Sequence, residues 1–203
     1  RALHIITVED PIEYVFTNKK SIIQQREMFS DTLSWKGALR SVLREDPDVV
    51  LAGEMRDYET ISATLTIAET GHLVFSTLHT NSASQAVNRM IDVFPEEQQA
   101  QVRTQLADTI EGIVSQRLLP SVNGGMVPAV EVLIANNAVR NVIREGRTHL
   151  LDNIINTSLE AGMISLERSL ANLVNNGLVS LEVALSHTLK PHEVKRLINT
   201  THA

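Results

Sequence analysis

Three short apolar segments recur through the first 80 residues, and each of them ends in polar or acidic residues. They are residues 3–8, 49–52 and 73–78, which are rich in Val, Ile and Leu. Apolar runs of this length, bounded by turn residues, are typical of buried parallel strands. Amphipathic helical spacing at residues 35–43 and 58–69 separates them. This alternation predicts an α/β fold, with helices flanking a mostly parallel sheet.

The remaining elements up to residue 135 are predicted from periodicity and turn residues. Residues 12–16 and 21–25 have the pattern of short strands, and residues 96–111 have that of a helix. Gly124 and Gly125 separate two apolar runs, which predicts a hairpin. A further helix is expected to begin after Ser82 or Ser84, either of which would serve as its N-cap.

From residue 136 onward the sequence shows only helical periodicity, in four or five short pieces. Ser165 and Ser180 precede two of these pieces and are predicted N-caps. We therefore predict an α/β core over residues 1–135 and a small helical subdomain over residues 136–203.

Composition excludes several classes of function. The formal net charge is −6 and no run of Lys or Arg occurs, so neither a nucleic-acid groove nor a polybasic membrane anchor is expected. The absence of cysteine excludes a disulfide framework and a thiolate metal site. No apolar run approaches the roughly 18 residues of a membrane span. Because the sequence enters a core strand directly after Arg1, we expect further residues to precede it in the parent protein.

Residues 48–57, DVVLAGEMRD, contain a buried strand that ends in Glu54. Open α/β sheets bind ligands at the carboxyl ends of their strands. P-loop enzymes hold a carboxylate at such a place, beside Mg²⁺ and the γ-phosphate, where it can orient an attacking water. The other interpretation is an acid at an ordinary strand-end turn.

Two further segments place polar groups at strand ends. Residues 7–13, TVEDPIE, put three carboxylates after the first strand, where a divalent cation or arginines would neutralise them. An exposed Asp-Pro turn is the alternative interpretation. His72 precedes the strand at residues 73–78, and His79 and Thr80 follow it. Polar groups there can sense a γ-phosphate, although each histidine alone also fits a structural role.

The order and spelling of these segments resemble the secretion ATPase superfamily that drives type II secretion and type IV pili. TVEDPIEY is similar to the aspartate box of that family, REDPDVVLAGEMRD to its Walker B segment and AETGHLVFSTLHTN to its histidine box. The resemblance extends over nearly the whole chain. It implies a RecA-like P-loop ATPase core that uses ATP and Mg²⁺ and works as a homo-hexamer. It also implies a cytoplasmic location at the inner face of the cytoplasmic membrane, next to an inner-membrane pilus platform protein.

The resemblance also implies roles for single residues. Glu54 would be the Walker B glutamate that polarises the attacking water. Glu9 and Glu13 would be aspartate-box acids near Mg²⁺, with Glu9 and Glu54 contacting the ion through water. Arg56 would be a charge partner of Glu54 or of a neighbouring subunit, unless it is simply a surface arginine. The candidate nucleotide-sensing residues are His72, His79 and Thr80.

Within the family, residues 138–145, AVRNVIRE, are similar to the AIRNLIRE motif of the twitching-motility retraction ATPases. The two differences, at Val139 and Val142, exchange one apolar residue for another. Extension and secretion motors of the family commonly carry a four-cysteine zinc element, which this sequence cannot form. Both features favour retraction over pilus extension or type II secretion. The intact Glu54, aspartate box and histidine box argue against the further alternative, a non-catalytic ring or scaffold subunit. The motif residues expected to serve output rather than hydrolysis are Arg140, Asn141, Arg144 and Glu145.

A phosphate loop requires G-x-x-x-x-G-K-[ST], and none of the lysines in this sequence follows a glycine. In the family that loop (Walker A) lies upstream of the aspartate box, together with an N-terminal domain. We therefore expect this chain to be the C-terminal portion of the motor and to be inactive by itself.

Overall fold

The structure, a computed structural model, describes residues 1–200, with residues 199 and 200 described by their backbone alone. The last three residues of the predicted C-terminal subdomain lie outside the described residues. The chain divides into two compact units. The first comprises Arg1–His79 and Arg89–Thr109, and the second comprises Thr80–Asn88 and the chain from Ile110 onward.

A four-stranded parallel sheet forms the first unit, which confirms the predicted α/β class. Its strands are β1 His4–Glu9, β2 Ile22–Glu27, β3 Val49–Glu54 and β4 Leu73–Thr77. They lie in the order β2-β1-β3-β4, and every pairing is parallel. Parallel neighbours place all their carboxyl ends at one end of the sheet, and this end is called the carboxyl end below.

Helices α1 Trp35–Val42 and α2 Tyr58–Glu69 pack on one face of this sheet, as predicted. Ser34 and Asp57 cap their N-termini through side-chain oxygens, which accept hydrogen bonds from N–H groups three residues on. The buried core between helices and sheet is aliphatic. Its fully enclosed members are Ile6, Val8, Leu39, Val42, Val50, Ala52 and Ile67. Helix α3 Ala83–Asp92 is divided between the two units, and α4 Glu96–Thr109 lies in the first.

Within the described residues, the second unit contains an antiparallel hairpin followed by five short α-helices; a hairpin at Gly124 and Gly125 and helical pieces after residue 136 are what the sequence predicts. Strands β5 Gly112–Pro120 and β6 Met126–Ile134 are joined through Gly124 and Gly125, both of which have positive φ. The contacts group this hairpin with the helices, whereas the predicted domain boundary at residue 135 places it with the sheet. No helix within residues 1–200 is long and apolar enough to cross a membrane. The helices are α5 Asn137–Arg144, α6 Leu151–Thr157, α7 Leu166–Asn175, α8 Leu181–Ser186 and α9 Pro191–Thr200.

The predicted strand at residues 12–16 is wrong, because this segment pairs with no strand. Side chains of β2 bind its backbone instead. The Gln25 side chain accepts from the Phe16 N–H at 2.8 Å and donates to the Tyr14 carbonyl at 2.9 Å. The Glu27 carboxylate accepts from the Ile12 N–H at 3.1 Å. Side-chain partners thus replace the ladder that the sequence pattern predicts.

Two of the serines predicted as helix N-caps form a capping hydrogen bond, and one does not. Ser180 accepts a hydrogen bond from the Val183 N–H at 3.3 Å, and Ser82 accepts one from the Gln85 N–H at 3.3 Å. Ser165 occupies the N-cap position of α7, but its side chain makes no capping hydrogen bond.

Replacing Leu39 by Ala is expected to destabilise the first unit. Leu39 is fully buried, so the substitution leaves a cavity and costs about 2–5 kcal/mol of unfolding free energy. Trp35, the single tryptophan, lies in the same helix, so its fluorescence during urea denaturation reports on this unit. The matched control is Leu33→Ala, because Leu33 is 84% exposed. Equal losses in the two variants would contradict this description of the core.

Candidate active site

A cleft of about 300 Å³ opens at the carboxyl end of the parallel sheet. Its walls come from the carboxyl-terminal parts of β1, β3 and β4, from the segments that follow β1 and β3, and from the first residue of α1. Four of the predicted site residues, Glu9, Glu13, Glu54 and Arg56, are therefore brought together. The complete lining is Glu9, Asp10, Pro11, Glu13, Trp35, Leu51, Gly53, Glu54, Arg56 and Thr77.

Strand register explains why the acids meet. Strand β1 pairs with β3 in parallel, and the last paired residues are Val8 and Ala52. Glu9 follows directly after Val8, and Glu54 follows two residues after Ala52. The extra residue, Gly53, lies at an irregularity in the pairing of β3 with β4. Such bulges re-aim the side chain that follows them and are common beside active sites.

Two basic groups hold the carboxylate of Glu54. Arg56 Nη2 lies 2.6 Å from one oxygen and His79 Nε2 lies 2.9 Å from the other. The glutamate side chain is only 18% exposed, whereas Arg56 and His79 are 68% and 86% exposed. The hydrogen bond from Arg56 lowers the pKa of Glu54; burial opposes this effect, and the charges of Arg56 and His79 add to it. Glu54 is therefore an ionised acceptor, able to orient a water molecule.

Glu9 is buried and held by two neutral donors. Thr7 Oγ1 donates to Glu9 Oε1 at 2.7 Å, and Gln25 Nε2 donates to the same oxygen at 3.0 Å. Both bonds to one oxygen fix the orientation of the carboxylate. Thr7 and Gln25 are not among the site residues that the sequence predicts. Thr7 could have been found, since alternate residues of a strand share a face, but Gln25 requires knowledge of the β1–β2 register.

Gly53 and Thr77 also shape the cleft and were not identified from the sequence. Thr77 Oγ1 donates to the Gly53 carbonyl at 2.6 Å, which ties the end of β4 to the bulge. A Cβ at Gly53 would lie 3.0 Å from the Val8 carbonyl oxygen and 3.4 Å from the Trp35 ring. Only glycine therefore fits this close approach without a shift of the backbone.

The two histidines of the predicted nucleotide-sensing set lie at opposite ends of β4. His79 follows the strand and contacts Glu54, whereas His72 precedes the strand. His72 Nδ1 lies 2.9 Å from Thr70 Oγ1 and 3.1 Å from the Ile67 carbonyl at the end of α2. The structure thus does not bring His72 to the cleft. Thr80 is the first residue of the second unit. The sensing roles of His72, His79 and Thr80 stay predictions.

Of the retraction-motif residues, Arg140, Asn141 and Arg144 lie on α5 and Glu145 is its C-cap. The Asn136 side chain caps the N-terminus of this helix by accepting from the Val139 N–H. The helix buries Val139 and Ile143 and leaves most of its polar residues toward solvent. Three contacts of the motif residues lie within the second unit. Arg140 pairs with Glu111 at 3.2 Å, Arg144 donates to Asn141 at 2.9 Å, and Arg147 donates to Glu145.

Among residues 1–200, no three His, Asp or Glu side chains are placed to hold a metal ion directly. Mg²⁺ in nucleotide sites keeps several waters and binds through one or two carboxylates together with phosphate oxygens. The oxygens of Glu9 and Glu54, on one cleft, fit such a contact through water.

Comparison with known proteins shows which family this site belongs to. Residues 1–184 match the family described as type II/IV secretion system protein. The chain belongs to this family. It is 50% identical over 181 residues to the type IV pilus retraction ATPase PilT of Pseudomonas aeruginosa. The matched region covers 89% of this chain and 53% of that protein. It is 50% identical over 182 residues to a twitching motility protein of Neisseria gonorrhoeae, with 89% and 49% covered.

A solved structure of this family has the same fold. It is the crystal structure of the pilus retraction motor PilT with bound ADP, at 49% identity and a TM-score of 0.89. The match covers 97% of this chain and 55% of that one. The chain thus spans about half the length of these secretion-family relatives.

Replacing Arg56 by Ala is expected to raise the pKa of Glu54 toward that of an ordinary glutamate. The guanidinium that lowers this pKa is lost, and the opposing effect of burial remains. Carbon-detected NMR of the carboxyl group through an acid titration measures the shift. The control, Arg44→Ala, removes an equal charge from an exposed residue of the same unit. An unchanged Glu54 titration in Arg56→Ala would show that the pair contributes little.

Proposed function

We propose that this chain is the C-terminal part of an ATP-hydrolysing motor that retracts type IV pili. The observation that carries the proposal is the meeting of Glu9, Glu54 and His79 at the carboxyl end of one sheet. The identity to pilus-retraction relatives supports the same conclusion. The intact motor is proposed to be a homo-hexamer in the cytoplasm, at the inner face of the cytoplasmic membrane, where it contacts an inner-membrane platform protein. The chain itself is proposed to enter no membrane and to bind no nucleic acid.

The proposed chemistry is the attack of water on the γ-phosphate of ATP. Glu54, ionised and fixed by two basic groups, accepts a hydrogen bond from the attacking water and orients it. Glu9, with Glu13 nearby on the cleft, provides further oxygens for a hydrated Mg²⁺, which when bound neutralises charge on the phosphates. His79 contacts the same carboxylate as Arg56, so a change in nucleotide state would alter its position and reach the segment that follows it.

The rest of the nucleotide site is proposed to come from the other half of the motor. The sequence contains no phosphate loop, and the relatives are about twice as long as this chain. Within the described residues, β4 pairs with a strand on one side only, and its Leu73 and Phe75 are 45% and 55% exposed. An unpaired, apolar edge strand is a template for another strand. We propose that the strand leading to the phosphate loop pairs there.

Two observations favour retraction over the other activities of the family. Residues 138–145 reproduce the retraction motif with apolar exchanges alone, and the sequence lacks the cysteines of a zinc element. Pilus extension and type II secretion remain the alternatives within the family. A non-catalytic ring or scaffold subunit is disfavoured, because such a subunit would not need the held carboxylate of Glu54.

The isolated 203-residue chain is expected not to bind ATP at micromolar concentrations, because it lacks the phosphate loop's several donors and its Mg²⁺ ligand. The intact protein is expected to bind and hydrolyse ATP. Glu54→Gln in the intact protein should lower kcat at least about 100-fold while ATP binding persists. Calorimetry measures ATP binding and phosphate release measures kcat, with Glu59→Gln, a change at an exposed side chain of α2, as the control. Micromolar ATP binding by the isolated chain would refute the first expectation.

Substitutions in the retraction motif are expected to separate hydrolysis from output. Asn141→Ala and Arg144→Ala in the intact protein should abolish twitching and keep ATPase activity within about threefold, because both side chains are exposed and lie outside the cleft. Twitching zones and phosphate release are measured in parallel. Asn153→Ala, an exposed change on α6, is the control. Loss of both activities together would contradict a role in output alone.

A further inference from the structure

Three hydrogen bonds hold the first turn of α3. Ser82 Oγ accepts from the Gln85 N–H at 3.3 Å, and the Gln85 side chain accepts from the Asn81 N–H at 3.1 Å. The third bond comes from a distant part of the chain, since Glu131 Oε1 accepts from the Ala83 N–H at 2.7 Å. Two local contacts and one from β6 therefore fix the residues at which this helix begins.

The hydrogen bond that Glu131 accepts satisfies a backbone N–H group at the start of α3. The first N–H groups of a helix have no partner within it, and the helix dipole favours a negative charge there. The 2.7 Å distance between the Ala83 nitrogen and Glu131 Oε1 lies at the short end of the range for N–H···O hydrogen bonds. Ala83 is fully buried, and the Glu131 carboxyl group accepts the hydrogen bond from its N–H, so this buried donor is satisfied.

The carboxyl group of Glu131 is partly removed from water at this position, which disfavours its charged form. Burial raises the pKa of Glu131, and the charges of Asp152 and Glu167 raise it further. The Ala83 N–H and Lys190 act in the opposite direction. A carboxylate in such surroundings is costly unless specific partners retain it, and here the partner is the start of α3.

The hydrogen bond between Ala83 and Glu131 lies close in sequence both to His79 and to the helix that carries the retraction motif. Ala83 lies four residues after His79, which contacts Glu54. Glu131 lies three residues before the end of β6 at Ile134, and α5 with the retraction motif begins at Asn137. One hydrogen bond therefore attaches the segment that follows the histidine to the strand that leads into the motif helix.

We propose that Glu131 is a positioning residue, whose carboxylate fixes the first turn of α3 on β6 and so holds the segment that follows His79 in place for hydrolysis. The inference rests on the proposed ATPase function. Glu131 is not among the residues that line the cleft, and it acts through the backbone of α3.

The test uses the intact protein and three variants. Glu131→Ala should lower kcat about tenfold or more and leave KM for ATP within about twofold, because binding groups stay in place while the reacting geometry is loosened. Glu131→Gln keeps an oxygen that can accept from Ala83, and its kcat should stay within about threefold of the parent. Ser180→Ala is the matched control, since it removes a helix N-terminal hydrogen bond of the same unit from α8. Thermal unfolding of each variant measures the purely structural effect.

Several outcomes would overturn the inference. One is a loss of kcat in Glu131→Ala no larger than that in Ser180→Ala; another is a loss that Glu131→Gln does not restore. If Glu131→Ala does not fold, Glu131→Asp replaces it, because its carboxylate is one methylene shorter and reaches Ala83 poorly. An intact parent without ATPase activity would refute the proposed function and this inference with it. An active parent with an unaffected Glu131→Ala refutes the inference alone.

Discussion

Because β1 and β3 run parallel and side by side, their last residues reach the same end of the sheet. This pairing brings Glu9 and Glu54 to one cleft, although 45 positions separate them in the sequence. The aliphatic layer between the sheet and the helices α1 and α2 stabilises the pairing. The bulge at Gly53 then sets the direction in which Glu54 points. The geometry of the site thus depends on backbone register before it depends on any side-chain contact.

Glu9 and Glu54, the two acids at the carboxyl end of the sheet, have different hydrogen-bond partners. The carboxylate of Glu54 is paired with Arg56 and His79, whereas Glu9 is held by the neutral donors Thr7 and Gln25. A carboxylate with a lowered pKa beside a half-open cleft remains charged through the physiological range. Such a group orients water and attracts hydrated cations, and it is poorly suited to donate a proton. This division of roles matches what phosphoryl transfer to water requires.

The apolar runs and helical periodicity of the sequence predicted the strands and helices that build the sheet, because burial on both faces leaves a clear pattern. They also predicted that acids would gather at one end. The sequence could not predict which donors hold Glu9, since Gln25 reaches it only through the β1–β2 register. The predicted strand at residues 12–16 failed for a related reason, because Gln25 binds that backbone in place of a neighbouring strand. The hydrophobic pattern of a sequence indicates which residues are buried. It does not indicate which side chain will form a hydrogen bond with a given backbone group.

The most direct measurement of the central claim is a crystal structure of the intact protein with a non-hydrolysable ATP analogue and Mg²⁺. We expect the γ-phosphate to lie at the carboxyl end of the sheet, with one water between it and the Glu54 carboxylate. The γ-phosphate and the carboxylate would then be roughly 5–6 Å apart. A nucleotide whose phosphates lie at the opposite end, near His72, or beyond the reach of Glu54 through one water, would contradict it.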